Sequence, residues 1–176
     1  MEKTKVTKFR WFWAWQDDAE ENWLEKMSQK GYHLSSVHLP FFYEFLVAEP
    51  RDYVYRMDYQ SFHKKDKEEY LQLFQDAGWE HIGEMSAWQY FRKEAKQGET
   101  TEIFTDVESK IAKYKRVLAF LWVFWIPLLV IFGGRILTDS PYPWWGVIQI
   151  IILLVLLLFT YAIIRLLMRI RQLRRL

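Results

Sequence analysis

The chain has 176 residues, of which 51% are hydrophobic and 19% aromatic, and its formal net charge is +2. It contains no cysteine, which excludes disulfides, thiol nucleophiles and cysteine-based metal sites. The sequence also lacks a glycine-rich phosphate loop, a serine elbow and histidines at metal-ligand spacing. We therefore expect no metal, no cofactor and no catalytic residue, and we expect that the protein is not an enzyme.

The two parts of the chain carry opposite charge. Residues 1–104 hold 14 basic and 19 acidic side chains, whereas residues 105–176 hold 10 basic and 3 acidic ones. The first part therefore has a net charge of −5 and repels phosphate, so nucleic acid is not an expected partner. The second part has a net charge of +7, which anionic lipid attracts.

Two segments of the first part resemble each other at an offset of 47 residues. They begin at Trp23 (WLEKMSQKGYHLSSVHLPFFYEF) and at Tyr70 (YLQLFQDAGWEHIGEMSAWQYFR). Each pattern predicts a helix, a glycine C-cap, a strand, a tight turn and a second strand. An aromatic strand precedes each segment, at residues 9–15 and 53–59. The matched pairs are Leu24 with Leu71, Gly31 with Gly78, Phe41 with Trp88, and Tyr43 with Tyr90.

The repeated pattern predicts an α+β fold. We expect residues 1–93 to form a cytoplasmic head of two tandem βαββ units, an antiparallel sheet with helices on one face. A single ferredoxin-like βαββαβ domain with an added strand is the alternative. Residues 94–116 are predicted to be a linker and a juxtamembrane helix, which a capping box of Thr105 and Glu108 begins.

The first predicted helix opens with a group of carboxylates. Trp23, Leu24 and Met27 share its apolar face. Acidic residues are favoured at helix N-termini by the helix dipole, so we interpret the group as structural rather than catalytic. The group consists of Asp17, Asp18, Glu20 and Glu21.

Two stretches near the C-terminus, 117–134 and 144–164, contain no charged side chain. A bilayer core requires about 20 apolar residues in a helix. We predict that residues 117–176 form two transmembrane helices, 117–137 and 144–164, and a basic C-terminal tail. Trp144, Trp145 and Tyr142 are the predicted interface anchors. Basic residues bracket the pair of helices on its outer ends: Lys110, Lys113, Lys115, Arg116, Arg165, Arg169, Arg171, Arg174 and Arg175.

The basic residues also predict the orientation of the two helices. Positive loops stay inside, so both termini are expected in the cytoplasm and the connector 135–143 outside. The expected location is the plasma membrane of a bacterium, and the lipid bilayer is the first expected partner.

Several long strings resemble a known family: FRWFWAWQD, EPRDYVYRMDY, YLQLFQDAGWE, WQYFRKE and EIFTDVESKIAKYKR. They are similar to domain of unknown function 2812, over roughly residues 8–116. The resemblance implies a bacterial protein with a hydrophobic tail, often encoded beside PadR-type regulators, and it implies no catalytic residue. The order of elements also resembles the GyrI-like effector-binding domains, which hold hydrophobic cations in an aromatic cleft with a carboxylate.

Aromatic side chains are the main candidates for binding. Helices cover one face of a sheet, so the other face is left to a partner, the membrane surface or a ligand. Aromatic rings beside a carboxylate can hold a cation. The alternative is that these rings only fill a small core. The predicted ligand-binding residues are Trp11, Trp13, Tyr43, Glu44, Glu84, Trp88 and Tyr90.

These patterns favour a membrane-anchored, non-enzymatic sensory or regulatory adaptor. Its head is expected to bind a hydrophobic small molecule or a protein, which includes a membrane protein partner. The alternative is an accessory or assembly subunit of a membrane complex that has no small-molecule ligand. A homo-oligomer is compatible with either function.

Overall fold

The computed structural model describes residues 4–62, 64–96, 98, 101–104, 106–136 and 144–175. The chain divides into two units, Met1–Thr105 and Asp106–Leu176, which we call the head and the helical hairpin. Thr105, which we predicted to cap a helix, and Tyr142, a predicted interface anchor, lie outside the described residues.

The head contains two βαββ repeats, which confirms the predicted duplication. The first repeat consists of β1 (Lys5–Phe9), α1 (Asp17–Ser28), β2 (Tyr32–His38) and β3 (Phe42–Val47). The second consists of β4 (Tyr53–Tyr59), α2 (Lys64–Asp76), β5 (Glu80–Met85) and β6 (Trp88–Glu94). Each repeat forms its own antiparallel three-stranded sheet, with strand orders β1-β3-β2 and β4-β6-β5.

The two repeats share irregularities as well as elements. The β2–β3 pairing shifts register between Leu34 and Ser36, and the β5–β6 pairing shifts between His81 and Gly83. Both pairs of positions are related by the offset of 47 residues that the sequence shows. A β-bulge bends its strand and strengthens the local twist. Its recurrence at equivalent positions indicates that the same sheet shape has been kept in both copies.

The turn that follows the bulge is one residue longer in the first repeat than in the second. This changes which residues of β3 and β6 are equivalent. Residues 39–41 separate β2 from β3, whereas residues 86–87 separate β5 from β6. The extra residue makes Phe42, not Phe41, the counterpart of Trp88, because these two residues lie opposite the last residue of the preceding strand. The predicted equivalence of Tyr43 with Tyr90 is therefore wrong by one residue.

The first strand lies earlier in the chain than predicted. We expected a strand at residues 9–15, whereas β1 ends at Phe9. Phe9 lies opposite Phe42, the first residue of β3, so a strand antiparallel to β3 has almost no partner beyond this point. The last backbone contact is the hydrogen bond that Arg10 N donates to the Phe41 carbonyl oxygen at 3.2 Å. Trp11, Trp13 and Trp15 consequently follow the strand rather than form it.

The apolar faces of both helices lie where their periodicity predicts. Trp23 of α1 packs on the first sheet, with its ring 4.9 Å from that of Tyr43 and 5.7 Å from that of Phe45. Phe74 of α2 packs on the second sheet, with its ring 4.6 Å from that of Phe91. Each helix therefore covers the sheet of its own repeat.

The other face of the second sheet is buried against the first repeat. Tyr55, Met57 and Tyr90 are each no more than 2% exposed and belong to the same core cluster as Leu24 of α1 and Phe45 of β3. One core thus joins the two repeats, and a smaller one lies beneath α2. The tyrosines that alternate along β4 fill this joint core.

Helix α1 also covers the free edge of β4. Its polar side chains bond to the amide nitrogens that β4 turns away from β6. Four residues of helix rise about 6 Å and two residues of strand about 6.8 Å, so successive turns of α1 match alternate residues of β4. An edge strand covered in this way is protected from pairing with another chain. The amides of Met57, Tyr55 and Tyr53 donate to Glu21 Oε1 (2.8 Å), Glu25 Oε1 (3.4 Å) and Ser28 Oγ (3.4 Å).

The helical hairpin consists of α3 (Val107–Ile136) and α4 (Trp145–Leu173). Trp125 Nε1 of α3 donates to Thr160 Oγ1 of α4 at 3.0 Å. Near the other end, the Arg169 guanidinium of α4 lies 5.9 Å from the Tyr114 ring of α3. These contacts pair the start of α3 with the end of α4, so the basic residues in the first turns of α3 and in the last turns of α4 lie at the same end of the hairpin.

Both hairpin helices are long and apolar enough to cross a membrane, over Val107–Gly134 and Trp145–Leu173. In the most apolar 18-residue stretch of each helix, only 11% (α3) and 17% (α4) is buried, whereas the core helix of a soluble protein is mostly buried. The predicted juxtamembrane helix and the first apolar segment form one continuous helix, α3. Asp106 caps its N-terminus, since Ser109 N donates to Asp106 Oδ1 at 2.7 Å.

Candidate functional site

The predicted ligand-binding residues do not form one cleft, because they lie in three separate environments. Trp11 and Trp13 are 49% and 36% exposed, whereas Tyr43 and Tyr90 are at most 1% exposed. The remaining three lie on strands, where Glu84 is exposed and Glu44 and Trp88 are partly exposed. Trp11 and Trp13 are therefore the predicted aromatic residues that are most open to a binding partner.

Trp11 and Trp13 belong to a row of neighbouring aromatic rings, in which Trp15 and Phe41 are partly exposed. The Trp11 ring lies 4.3 Å from that of Phe41 and 5.4 Å from that of Trp13. The row continues from Trp13 to Trp15 by parallel stacking at 5.3 Å, and Phe9 contacts Phe42 at the same separation. We call this the aromatic surface and include the neighbouring loop residue; its members are Phe9, Trp11, Trp13, Trp15, Leu39, Phe41 and Phe42.

The aromatic surface results from the way the first repeat folds. Phe9 and Phe42 are opposite residues of β1 and β3, and they point away from the face that α1 covers. The turn between β2 and β3 presents Phe41 with φ of 72°, a left-handed conformation that is uncommon for a bulky residue. Leu39 in the same turn is 68% exposed. A strained turn that displays apolar side chains to solvent is a feature of binding surfaces.

Glu44 is the carboxylate nearest to this surface along β3, and it is already engaged. Its Oε1 lies 2.9 Å from Lys5 Nζ and accepts a hydrogen bond from Ser35 Oγ at 3.1 Å. The hydrogen bond from Lys5, followed by that from Ser35, lowers the pKa of Glu44. A cationic ligand at Glu44 would have to compete with Lys5.

Glu84 and Trp88 lie in the second repeat. Glu84 Oε2 lies 2.9 Å from Lys67 Nζ and accepts a hydrogen bond from Gln89 Nε2 at 2.8 Å. The bond from Gln89, followed by that from Lys67, lowers the pKa of Glu84. Trp88 packs edge-on against Tyr59 at 5.1 Å. These contacts support the second sheet, and no predicted cleft residue of the first repeat takes part in them.

Tyr43 and Tyr90 meet at a buried carboxylate that was not among the predicted site residues. Glu20 of α1 is 4% exposed, and its Oε1 accepts hydrogen bonds from Tyr43 Oη at 2.7 Å and Tyr90 Oη at 2.8 Å. One tyrosine comes from β3 and the other from β6, so this network joins the two repeats.

Burial raises the pKa of Glu20 to about 7, and the negative charge of Asp17 adds to this effect. The two tyrosine hydroxyls act in the opposite direction but do not compensate for burial. Burial also raises the pKa of both tyrosines, which therefore remain donors. The network can hold or release one proton near neutral pH, and it is closed to a ligand from solvent.

The sequence contained a signal for Glu20 that the interpretation as a helix N-terminus overlooked. Glu20 precedes Trp23, Leu24 and Met27 by three, four and seven residues, which is the spacing of one helix face. A carboxylate on an apolar face requires buried hydrogen-bond donors. The two tyrosine hydroxyls provide them.

Comparison with known proteins agrees with the resemblance that the sequence strings suggested. A search of curated proteins and a search of solved structures each found no match. The model of a family described as "Protein of unknown function (DUF2812)" matches residues 16–126. This match spans the head from the start of α1 and extends into the apolar part of α3, so the chain belongs to the DUF2812 family.

Proposed function

We propose that the protein is a membrane-anchored, non-enzymatic regulatory adaptor whose head binds through the aromatic surface. The observation that carries this proposal is the aromatic surface, where the exposed rings of Phe9, Trp11, Trp13 and Phe42 lie at the end of the first sheet and in the segment after β1. Tryptophan and phenylalanine side chains supply large contact area, and they are enriched at binding interfaces. The expected ligand is a hydrophobic small molecule or a protein.

The proposal includes a membrane orientation. The helical hairpin holds the protein in the bacterial plasma membrane, and the head and both termini face the cytoplasm. Support comes from the length and composition of α3 and α4 and from the basic residues that they bring to one end of the hairpin. Basic flanks are retained on the cytoplasmic side during insertion.

The absence of cysteine allows this orientation to be measured directly. We expect a membrane-impermeant maleimide to label Ser140→Cys, in the connector, on intact cells. Leu73→Cys, a 66% exposed position of α2, should react only after the membrane is opened. Labelling of Leu73→Cys on intact cells would contradict the proposed orientation, and release of the protein without detergent would contradict the membrane anchor.

If the aromatic surface binds a ligand, a hydrophobic compound that contacts its rings should stabilise the head against unfolding. In nanodiscs of zwitterionic lipid, a member of a panel of hydrophobic cations, such as tetraphenylphosphonium, should raise the unfolding temperature of the head. A ligand at 100 times its Kd stabilises by about 2.7 kcal/mol. The shift should be lost in the Trp11→Ser/Trp13→Ser variant and kept in Leu73→Ser, which changes an equally apolar but separate surface position.

The same variants distinguish an adaptor from an assembly subunit. If no member of the panel stabilises the head, while a membrane protein co-purifies stoichiometrically and is lost only from the Trp11→Ser/Trp13→Ser variant, the assembly function replaces the ligand-binding one.

A further inference from the structure

The second repeat contains a polar cavity that lies apart from the aromatic surface. Its volume is about 290 Å³, and it opens to solvent beside Ser61 and Ser86, which are both exposed. This volume is at the lower end of the range for ligand pockets, so it suits a small molecule. Its lining includes Ser61, Phe62, Lys67, Glu84, Ser86 and Gln89.

The first repeat has core side chains where the second repeat has this polar lining. Glu84 and Gln89 lie opposite each other in the β5–β6 pairing, as Val37 and Tyr43 do in the β2–β3 pairing. Val37 and Tyr43 are 7% and 0% exposed and belong to the core that joins the repeats. Polar groups at such positions do not add to packing, and each needs a hydrogen-bond partner when it is covered. The difference between the copies therefore favours a binding role for this end of the second repeat.

A hydrogen-bonded network positions the charged groups of the cavity. Gln89 is 1% exposed, and its Nε2 donates to Glu84 Oε2 at 2.8 Å. Lys67 Nζ lies 2.9 Å from the same oxygen atom. Gln89 Oε1 lies 2.9 Å from His81 Nε2. Burial lowers the pKa of His81, so its ring is neutral at pH 7 and donates this bond from Nε2. A buried side chain thus holds Glu84 in place, while 45% of the Glu84 side chain and 34% of the Lys67 side chain remain exposed.

Two hydroxyl groups add further hydrogen-bonding capacity. The hydroxyls of Ser61 and Ser86 bond to no other residue in the part of the chain that the structure describes. Ser86 has φ of 59°, a left-handed conformation that is uncommon for residues other than glycine. Such conformations are concentrated at ligand sites.

We propose that this cavity binds a small zwitterion of the α-amino acid type. The ligand enters between the two charges of the ion pair, so that its carboxylate binds Lys67 and its ammonium group binds Glu84. This site is separate from the aromatic surface and does not depend on the function proposed for that surface.

The paired charges favour a ligand that carries one charge of each sign. A ligand with a single charge would bind one partner and leave the other without its counter-charge. A neutral apolar ligand would leave the hydrogen-bonding groups of the lining unsatisfied. An α-amino acid carries both charged groups on one carbon atom, so they can meet a Lys67 and a Glu84 that lie 2.9 Å apart. Its side chain is then left to the serine hydroxyls and the Phe62 ring.

Binding of amino acids to the full chain in detergent tests this inference. L-serine, L-threonine, L-asparagine and L-glutamine are added singly, and the apparent Kd is obtained from the rise in unfolding temperature with ligand concentration. We expect at least one of them to stabilise the protein. Its N-acetyl derivative lacks the ammonium charge and its carboxamide derivative lacks the carboxylate. Each derivative should bind about tenfold more weakly, since each loses a charged hydrogen bond.

Two single substitutions assign each ligand charge to its partner. Glu84→Gln keeps an acceptor for Gln89 but removes the charge that faces the ammonium group, so the amino acid should bind no better than its N-acetyl derivative. Lys67→Gln should likewise abolish the difference between the amino acid and its carboxamide. The matched control is Glu80→Gln, on the same strand as Glu84. It breaks the ion pair with Arg92 (2.7 Å), which lies outside the cavity lining, and should leave the Kd unchanged.

Three results would overturn the amino acid site. One is the absence of stabilisation by all four amino acids. Another is a derivative that binds as tightly as its parent. The third is equal weakening by Glu84→Gln and Glu80→Gln, which would indicate a general effect of charge. Urea unfolding first shows that each variant folds; if Glu84→Gln does not, Lys67→Gln at its partly exposed position on α2 decides the outcome.

Discussion

Between about pH 4 and about pH 8, the head of the wild-type protein is expected to lose roughly 3 kcal/mol more stability than the Glu20→Gln variant. Burial gives Glu20 a pKa of about 7 in the folded protein, against 4.5 for an ordinary glutamate. Below pH 4.5 the carboxyl is protonated in both states, and its burial carries no charge penalty. Between about pH 4.5 and pH 7 the unfolded chain releases this proton while the folded protein keeps it, so stability falls, and above pH 7 the folded protein holds the buried carboxylate in its ionised form and the loss is complete.

The quantity to measure is the difference in the free energy of unfolding between the wild-type protein and Glu20→Gln at each pH. Burial lowers the pKa of His81, so that residue makes the head more stable as the pH rises over a neighbouring range. This contribution is the same in both proteins and cancels in the difference. Urea unfolding of the full chain in detergent, followed by tryptophan fluorescence at several pH values, provides the two curves. Parallel curves would contradict the assigned pKa of Glu20.

The tyrosines supply an internal check on the same network. Tyr90→Phe removes one of the two hydroxyls that favour the ionised form of Glu20. The upper limit of the pH range over which stability falls should therefore move upward in Tyr90→Phe, and likewise in Tyr43→Phe, while the lower limit near pH 4.5 stays fixed by the unfolded chain. A downward move in either variant would show that the hydroxyls do not stabilise the carboxylate.

The elements of the head were predictable because local patterns specify them. The helical spacing of Trp23, Leu24 and Met27 and the alternation along β4 both agree with the structure. The repeat offset predicted the duplication for the same reason: each copy carries the pattern of a complete βαββ unit. Local periodicity therefore specified which elements exist, and it was less informative about where strand pairing stops.

Pairing partners and tertiary packing determine the rest. The alternating aromatics after Phe9 have high strand propensity, yet they have no strand to pair with because β3 begins at Phe42. Tyr90 and Trp11 were both predicted to bind a ligand at an aromatic face. Only the packing of the second sheet on α1 buries the first and leaves the second exposed. Such choices depend on how two repeats meet, which no pattern within one repeat encodes.

Gly31 is expected to be far less tolerant of substitution than Gly78, its equivalent in the second repeat. Gly31 and Gly78 follow α1 and α2 at equivalent positions, and both have φ of 82°. A Cβ at Gly31 would overlap the Ala48 carbonyl oxygen, whereas a Cβ at Gly78 would meet the Lys93 side chain at 3.4 Å. A backbone oxygen cannot move without the chain that carries it, but a lysine side chain can rotate away.

We expect Gly78→Ala to destabilise the head by about 1–2 kcal/mol, the cost of a left-handed conformation for a residue with a Cβ. Gly31→Ala should cost about 3–5 kcal/mol, because the overlap also displaces the hydrogen bond that Ala48 N donates to the Gly31 carbonyl oxygen at 2.9 Å. Urea unfolding of the full chain measures both values.

Gly83→Ala is the matched control for this pair. No atom lies within 4 Å of a Cβ built at Gly83, and its backbone is not left-handed. Substitution there should leave stability unchanged or raise it by about 0.4–1 kcal/mol, since alanine restricts the unfolded chain. Equal losses for Gly31→Ala and Gly78→Ala would show that the turn around Ala48 yields, and the cost at both sites would then come from backbone conformation alone.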